Sequence, residues 1–169
     1  MDENSNYSSI DDLTKEELQQ QLSDQMMLSS YIAFVFSNSM ISHYGDEGKK
    51  LAEKILFEIG EYVGDKLLTS GYVKQMGMDG FLKFVELFST LGHVKKQIVS
   101  HDENEAVIVA TDCPLGMMFE IMGETQGICK VLCKLDLGVC SSLGFSAEYT
   151  LNKTISAGDN CCEYQLKRK

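Results

Sequence analysis

Three thiols and one carboxylate are spaced three or four residues apart in the stretch GICKVLCKLDLGVC, residues 127–140. They belong to Cys129, Cys133, Asp136 and Cys140. Because residues at these spacings share one face of a helix, the pattern predicts a single stripe of thiols that contains an acid. A carboxylate in that position needs a partner or a shifted pKa, since an unpaired buried charge is costly. If Asp136 is purely structural, the expected partner is Lys153 or a backbone group.

Two further cysteines bear on this stripe. Alternation along a C-terminal strand places Cys162, Tyr164 and Leu166 on the core face and turns Cys161 toward water. Cys113 lies where a predicted strand passes into a predicted helix, and the amides at a helix N-terminus lower the pKa of a thiol. The sequence therefore predicts Cys113 as the best placed nucleophile.

Each cysteine also has a structural interpretation, because free cysteine is often buried as a small apolar residue. That interpretation is favoured for Cys129 and Cys140, which depend on spacing alone. The helical C-x-x-x-C spacing is a weak metal signal, and the sequence has no zinc-knuckle C-x-x-C. His43, in SHYG, is a candidate base or ligand, with a surface or capping role as the alternative.

Helices come first in the chain. The TKEEL stretch at residues 14–18 is a capping-box signature that begins a helix, and Gly45 in SHYGDEG predicts the end of that helix. A second helix is predicted over residues 47–71 from its apolar spacing. In this helix Gly60 and Gly64 lie one turn apart, which predicts that another backbone approaches closely there.

The spacing changes from helical to strand-like after a third helix, which begins near Asp79 and ends before Gly92. VKKQIVS and AVIVATD predict a hairpin, and residues 112–123 predict a short helix with Pro114 in its first turn. After the thiol-bearing helix, FSAEYTLNKTI and CCEYQLK predict a second hairpin around SAGDN. The predicted fold class is α+β, with N-terminal helices packed on a small antiparallel sheet made of two hairpins and helices inserted between them.

Length and charge limit the class of protein. The chain has 169 residues, which predicts one domain at residues 13–169 after a disordered tail at residues 1–12. A formal net charge of −10 argues against sequence-blind binding to nucleic acid or to an anionic membrane, so the expected partners are small molecules or proteins. A homodimer through the helix face of Gly60 and Gly64 is a further prediction.

The N-terminus and the cysteine content indicate a compartment. The first residues are acidic and polar, unlike a secretory signal, and the most apolar early run is too short to span a bilayer comfortably. We therefore expect a cytoplasmic protein. In that compartment the six cysteines are expected to be free thiols, ligands or nucleophiles rather than disulfides.

Several motifs resemble one known family. CPLG at residues 113–116, CKVLCKLD at 129–136 and NKTISAGDNCCEY at 152–164 are similar to the C-terminal half of the L-2-amino-thiazoline-4-carboxylic acid hydrolase-like proteins. YGDEG at residues 44–48 also resembles that family, and the likeness covers about residues 25–167. The positions that match the family's motifs are Cys113, Pro114, Cys133, Asp136, Gly158, Asp159 and Cys162. More weakly, the chain resembles the vinyl-reductase-like ligand-binding domains.

The family resemblance implies hydrolytic opening of a carbon–nitrogen bond in a cyclic amidine such as an aminothiazoline carboxylate. Water or a thiolate adds to the ring C=N carbon while a proton reaches the leaving heteroatom. In one scheme Cys113 attacks and Asp136 carries the proton. In the other, a zinc ion that activates water is held by the matching residues Cys113, Cys133, Asp136 and Cys162.

The weaker resemblance implies an alternative function, a non-enzymatic domain that binds or senses a small molecule or a metal. Further site candidates are His43, Tyr44 and Asp159. A substrate carboxylate also needs an anion receptor. Because Arg168 is the only arginine, that receptor has to be a lysine, backbone amides or the helix N-terminus predicted after Cys113.

Overall fold

The computed structural model of the chain describes residues 13–91, 94–113 and 126–169. The predicted tail at residues 1–12 and the short helix predicted around Pro114 lie outside these ranges. The described part begins with helix α1, Lys15–Thr69. The predicted capping box is present, since Glu17 N donates to Thr14 Oγ1 over 3.2 Å and Thr14 N donates to Glu17 Oε2 over 2.8 Å.

Helix α1 is broken at Gly45, as predicted. Gly45 has φ 56° and ψ −132°, a backbone conformation that favours glycine. Beyond it, Gly48 contacts the backbone of Met40, and Ala33 packs against the buried cluster that contains Leu56. A straight helix would separate Ala33 from Leu56 by about 34 Å. The two segments, residues 15–44 and 46–69, therefore fold back against each other.

A hairpin follows the second helix of the structure. Helix α2 spans Gly77–Leu91, two residues earlier at its start than predicted, and strands β1 and β2 span Lys95–His101 and Glu105–Asp112. In the turn, Asp102 Oδ1 accepts hydrogen bonds from the backbone amides of residues 104 and 105 at 2.7 and 2.8 Å. This side chain closes the turn that the sequence HDENE predicted.

The helix that bears the thiol stripe is two helices rather than one. Helix α3 spans Gln126–Leu132 and helix α4 spans Lys134–Ser142. Cys133 joins them with φ −63° and ψ −10°, and its N–H still bonds to Cys129 O over 3.0 Å. The prediction of one continuous helix was wrong because the backbone at Cys133 interrupts it, and the two short helices each lie against α1.

The second hairpin consists of strand β3, Ala147–Lys153, and strand β4, Cys162–Arg168, with a 3-10 turn at Ile155–Ala157 between them. The sheet order is β1-β2-β4-β3, and every neighbouring pair is antiparallel. The two hairpins thus meet through β2 and β4. The α+β fold with two hairpins and helices between them is confirmed.

The core lies between the inner face of the sheet and helices α2 and α4, and it contains Phe81, Ile108, Val139 and Leu166. Gly60 of α1 lies against the backbone of α4 at Leu135 and Gly138, and Gly64 lies against Ser142. The predicted close approach at Gly60 and Gly64 is confirmed. The backbone that approaches is α4 of the same chain. The face of Gly60 and Gly64 is therefore already covered and is not available as the homodimer interface that the sequence suggested.

Within the described ranges, none of the helices combines the length and the apolar character that crossing a membrane requires.

Candidate functional site

A polar cluster lies where helix α4 faces the sheet. We call it the Asp136 cluster and define it by residues that influence one another electrostatically: Lys96, Cys133, Asp136, Tyr149 and Tyr164. These residues come from β1, the junction of α3 and α4, α4, β3 and β4. The two hairpins and the turn at Cys133 are therefore all needed to assemble it.

Asp136 has the most informative charge state of the five. It lies in the first turn of α4 and keeps only partial contact with solvent. Burial raises the pKa of its carboxyl from 3.8 to about 6, and the positive charge of Lys96 opposes that rise. A carboxyl with this pKa exists in both protonation states near neutral pH, so it can accept a proton and return it.

The thiols on either side of Asp136 are held in their neutral form. Burial raises the pKa of Cys133, and the charge of Asp136 raises it further. A hydrogen bond from the Tyr149 hydroxyl to the Cys133 sulfur acts in the opposite direction. Burial and Asp136 also raise the pKa of Cys140, which is fully buried in the core. Neither thiol is therefore suited to act as a thiolate near neutral pH.

Two stacked tyrosines form one wall of the cluster. The ring centroids of Tyr149 and Tyr164 lie 5.1 Å apart, with 14° between the ring planes. Tyr164 is 5% exposed, and its hydroxyl oxygen has no hydrogen-bond partner among the described residues. Burial raises the pKa of Tyr164, followed by the charges of Asp136, Cys133, Cys113 and Cys162. The hydroxyl of Tyr164 is thus close enough to the Asp136 carboxyl and to the thiols for their charges to act on its pKa.

Lys96 supplies the positive charge of the cluster. It lies on the inward side of β1 and its Nζ is 4.9 Å from the ring centroid of Phe88 and 5.8 Å from that of Tyr164. The neighbouring Lys95 instead forms an exposed ion pair with Asp112 over 3.3 Å. Of two adjacent lysines, only one faces the site.

A second group of thiols lies beside the cluster. The thiols of Cys113 and Cys162 hydrogen-bond to each other, and this bond is the main reason why the pKa of Cys162 is raised, ahead of burial. Cys162 Sγ also accepts a hydrogen bond from Ile155 N over 3.4 Å. The ends of β2 and β4 therefore bring together two thiols that are 49 residues apart in the sequence.

The four residues proposed for zinc do not form a preassembled ligand set. In the described part of the chain, no three His, Cys, Asp or Glu side chains lie close enough to hold one metal ion. Cys113 pairs with Cys162, whereas Cys133 is associated with Asp136 and Tyr149. Zinc coordination stays a prediction, and no step of the chemistry below depends on it.

The remaining candidates have local contacts. His43 and Tyr44 are exposed just before the break in α1, where His43 Nδ1 lies 2.9 Å from Ser39 O and the two rings are 6.3 Å apart. Asp159 accepts a hydrogen bond from Thr154 N over 2.8 Å and so closes the turn before β4. These contacts give Asp159 a structural explanation.

The other cysteines differ in their surroundings. Cys129 packs beside Phe34 and Ile128, and its Sγ lies 3.2 Å from Ser156 Oγ. Cys161, predicted to face water, is half-buried. It precedes the first residue of β4, so strand alternation does not apply to it.

Comparison with known proteins gives the family. The family model for L-2-amino-thiazoline-4-carboxylic acid hydrolase matches residues 25–166. The chain belongs to this family. Comparison with curated protein sequences gives no match. The family match covers the Asp136 cluster and the Cys113 and Cys162 pair in full.

Solved structures share the fold of this hydrolase-family chain. The phenol-responsive sensory domain of the transcription activator PoxR, with phenol, superposes with a TM-score of 0.60 at 16% identity, covering 82% of this chain and 74% of that one. A trafficking protein particle complex subunit 3 from Naegleria fowleri, covalently bound to palmitic acid, gives a TM-score of 0.50 at 15% identity, covering 85% and 96%. The likeness to a sensory domain is consistent with the weaker resemblance to vinyl-reductase-like domains.

Lys96 and Tyr149 were not among the site residues predicted from the sequence of this hydrolase-family chain. Lys153 was the predicted partner of Asp136, but Lys153 Nζ pairs with Glu163 over 3.1 Å and the cation that acts on Asp136 is Lys96. The signal for Lys96 was present, because it alternates with the apolar Val94 and Ile98 on one face of VKKQIVS.

Proposed function

We propose that this chain is a hydrolase that opens a carbon–nitrogen bond of a cyclic amidine such as an aminothiazoline carboxylate. The observation that carries the proposal is the state of Asp136, whose pKa of about 6 lies close to the pH at which an acid–base catalyst has to work. Membership of a family named for this hydrolysis supports it.

The positive charge of a protonated amidine is complementary to the ionised carboxylate of Asp136. A protonated amidine is a planar cation with two N–H donors, and an ionised carboxylate can accept both hydrogen bonds. Binding the cation would favour the ionised form of Asp136, which Lys96 already supports. The carboxylate thus orients the amidine carbon for attack before it takes part in proton transfer.

Hydrolysis of the amidine needs one addition and one bond cleavage. Water adds its oxygen to the C=N carbon, and Asp136 takes the proton that the attacking water loses. Asp136 then gives this proton to the ring nitrogen, and the ring carbon–nitrogen bond breaks. As the carbonyl forms, the hydroxyl proton of the intermediate passes to the departing amine, which leaves as an ammonium. The former amidine carbon becomes the carbonyl of a carbamoyl group, and Asp136 returns to its starting state.

Cys113 offers a covalent version of the same reaction. Asp136 would take the thiol proton of Cys113 as the sulfur adds to the amidine carbon, and would pass this proton to the ring nitrogen, which leaves as an amine. Water would then add to the same carbon, which releases Cys113 as the thiol and leaves the carbamoyl product. The hydrogen bond between Cys113 and Cys162 supports this role, because a neutral Cys162 thiol that donates to the Cys113 sulfur stabilises the thiolate of Cys113. Cys133 is not the nucleophile in this proposal, because its pKa is raised.

The proposal is tested by incubating the purified full chain with 2-aminothiazoline-4-carboxylate and following the carbamoyl product by mass spectrometry. We expect turnover that the substitution Asp136→Asn lowers on the order of 100-fold or more, because the amide cannot carry the proton. Asp65→Asn, at an exposed position on α1, is the matched control. Absence of turnover, or equal turnover in the Asp136→Asn variant, would contradict the proposal.

A second candidate function is a non-enzymatic domain that binds a small aromatic molecule. The aromatic side chains around the cluster favour it, since Phe88, Tyr149 and Tyr164 present ring surfaces near one buried hydroxyl. The phenol-responsive domain with the same fold gives the ligand class to try. Phenol that raises the melting temperature of the chain, together with no hydrolysis of the amidine, would favour this function over the first.

A further inference from the structure

Lys96 is unusual among the lysines of this chain because it faces inward. It alternates with Val94, which is buried, and Ile98, which packs against the core, whereas Lys95 and Gln97 are exposed. Its ammonium lies near the rings of Phe88 and Tyr164. Attraction to aromatic faces holds a cation in place but leaves its N–H groups available for hydrogen bonds.

Lys96 also lacks an ion-pair partner within the described ranges. The ion pairs found there are Lys54–Glu58, Lys83–Glu86, Lys95–Asp112 and Lys153–Glu163. Asp136 feels the charge of Lys96 but is not close enough to form a salt bridge with it. The positive charge of Lys96 therefore faces the Asp136 cluster, and no carboxylate of the described residues neutralises it in an ion pair.

Tyr164 provides a second donor at the same place. Its hydroxyl is buried without a hydrogen-bond partner in the described part of the structure, although Lys96 lies over its ring and Asp136 is within electrostatic range. A buried hydroxyl without a partner costs about 1–3 kcal/mol, so a group that accepts its hydrogen bond would recover that cost. An oxygen anion could accept hydrogen bonds from both the Lys96 ammonium and the Tyr164 hydroxyl.

We propose that Lys96 and the Tyr164 hydroxyl bind the carboxylate of the substrate. They would thereby select cyclic amidines that carry a carboxylate over those that lack one. The inference rests on the proposed function, since it assigns the amidine end of the same molecule to Asp136. The site then matches a zwitterion, with an acid for the cationic end and an ammonium for the anionic end. In a chain of net charge −10, such a local cation is what allows an anion to bind.

The experiment compares two substrates that differ only in the carboxylate, 2-aminothiazoline-4-carboxylate and 2-aminothiazoline. We expect Lys96→Met to lower kcat/KM for the carboxylated compound, mainly through KM, because a charge-assisted hydrogen bond is lost. Because the charge of Lys96 also acts on the pKa of Asp136, the variant changes kcat/KM for 2-aminothiazoline as well. The readout is therefore the ratio of the two kcat/KM values, which should fall about 10- to 100-fold in the variant. Lys96→Arg should restore part of the preference, and Lys83→Met, at an exposed lysine of α2, is the control.

Tyr164→Phe gives an independent test if Lys96→Met fails to fold. This variant removes one oxygen and keeps the stacked ring, and we expect it to weaken the preference for the carboxylated compound about 3- to 10-fold. An unchanged preference in a folded Lys96→Met variant overturns the inference. If that variant does not fold, an unchanged preference in Tyr164→Phe does so.

The outcomes separate this inference from the proposed function. Equal kcat/KM of the wild-type chain for both compounds overturns the carboxylate site and leaves the hydrolase proposal standing. If neither compound is hydrolysed, calorimetric titration decides the site. Binding of the carboxylated compound that Lys96→Met abolishes supports the carboxylate site although the hydrolase proposal fails, and no binding of either compound overturns both.

Discussion

The backbones of Gly60 and Gly138 are in direct contact. A Cβ atom built on Gly138 would lie 2.9 Å from the Cα of Gly60, and one built on Gly60 would lie 3.0 Å from the Cα of Gly138. Real Cβ atoms do not approach other carbon atoms so closely, so helix α4 can lie this near α1 only with glycine at both positions. Because Asp136 is two residues before Gly138 on α4, the contact also helps to fix the position of Asp136 relative to α1.

Substitution of Gly138 by alanine is therefore expected to destabilise the protein. We expect Gly138→Ala to lower the free energy of unfolding by about 1–3 kcal/mol, as overpacking of a tight contact does. Thermal unfolding followed by circular dichroism measures it. Gly127→Ala, in α3, is the matched control, because its Cβ would meet nothing within 4 Å and alanine favours helix. Equal melting temperatures for the two variants would show that α4 can move away from α1 at no cost.

The charge of Asp136 should make stability depend on pH in a definite direction. Its folded-state pKa of about 6 is above the ordinary 3.8, so the folded protein holds this proton more tightly than the unfolded chain does. The stability associated with the protonated form is complete below about pH 4 and is lost as the pH rises through about 6.

Asp136→Asn removes this titration. At pH 7 to 8 we expect the variant to be more stable than the wild type by up to about 3 kcal/mol, and the difference to shrink toward zero near pH 4. Urea unfolding at several pH values measures it, with Asp65→Asn as the exposed control. A difference that grows as the pH falls would contradict the raised pKa.

Cys113 and Cys161 form a matched pair for the thiol mechanism, since both are half-buried and only Cys113 hydrogen-bonds to Cys162. If Cys113 is the nucleophile, Cys113→Ser lowers turnover by more than about 100-fold, because a hydroxyl is a much weaker nucleophile than a thiolate. Cys161→Ser should retain full turnover. Single-turnover mass spectrometry of the wild type should then show a covalent adduct on Cys113. Full activity of Cys113→Ser would leave direct attack by water as the mechanism.

The two stacked tyrosines should respond differently to loss of their hydroxyl groups. The Tyr149 hydroxyl bonds to Cys133, so we expect Tyr149→Phe to lower stability by about 1 kcal/mol. The Tyr164 hydroxyl has no partner in the described ranges, so Tyr164→Phe should keep or slightly raise stability. Chemical denaturation of both variants measures the contrast. A larger loss for Tyr164→Phe would mean that its hydroxyl does have a partner in the folded protein.

Much of the architecture follows from local sequence signals. The capping box at Thr14 and Glu17, the break at Gly45 and the strands on either side of Asp102 each depend on residues within a few positions of one another. Such signals are present in the sequence and do not need the rest of the fold. The motifs at Cys113, Cys133 with Asp136, and Cys162 were likewise enough to name the family.

What only the tertiary structure decided is which of these groups meet. The sequence placed Cys133, Asp136 and Cys140 on one stripe. It did not show that the cation acting on Asp136 is Lys96 rather than Lys153, because that depends on how the folded chain brings β1 near α4. Nor could it show that Cys113 pairs with Cys162 and stands apart from Cys133, which follows from the pairing of β2 with β4. Side-chain types and their spacing along one element are local properties, whereas charge pairing, burial and pKa arise from contacts between elements far apart in the chain.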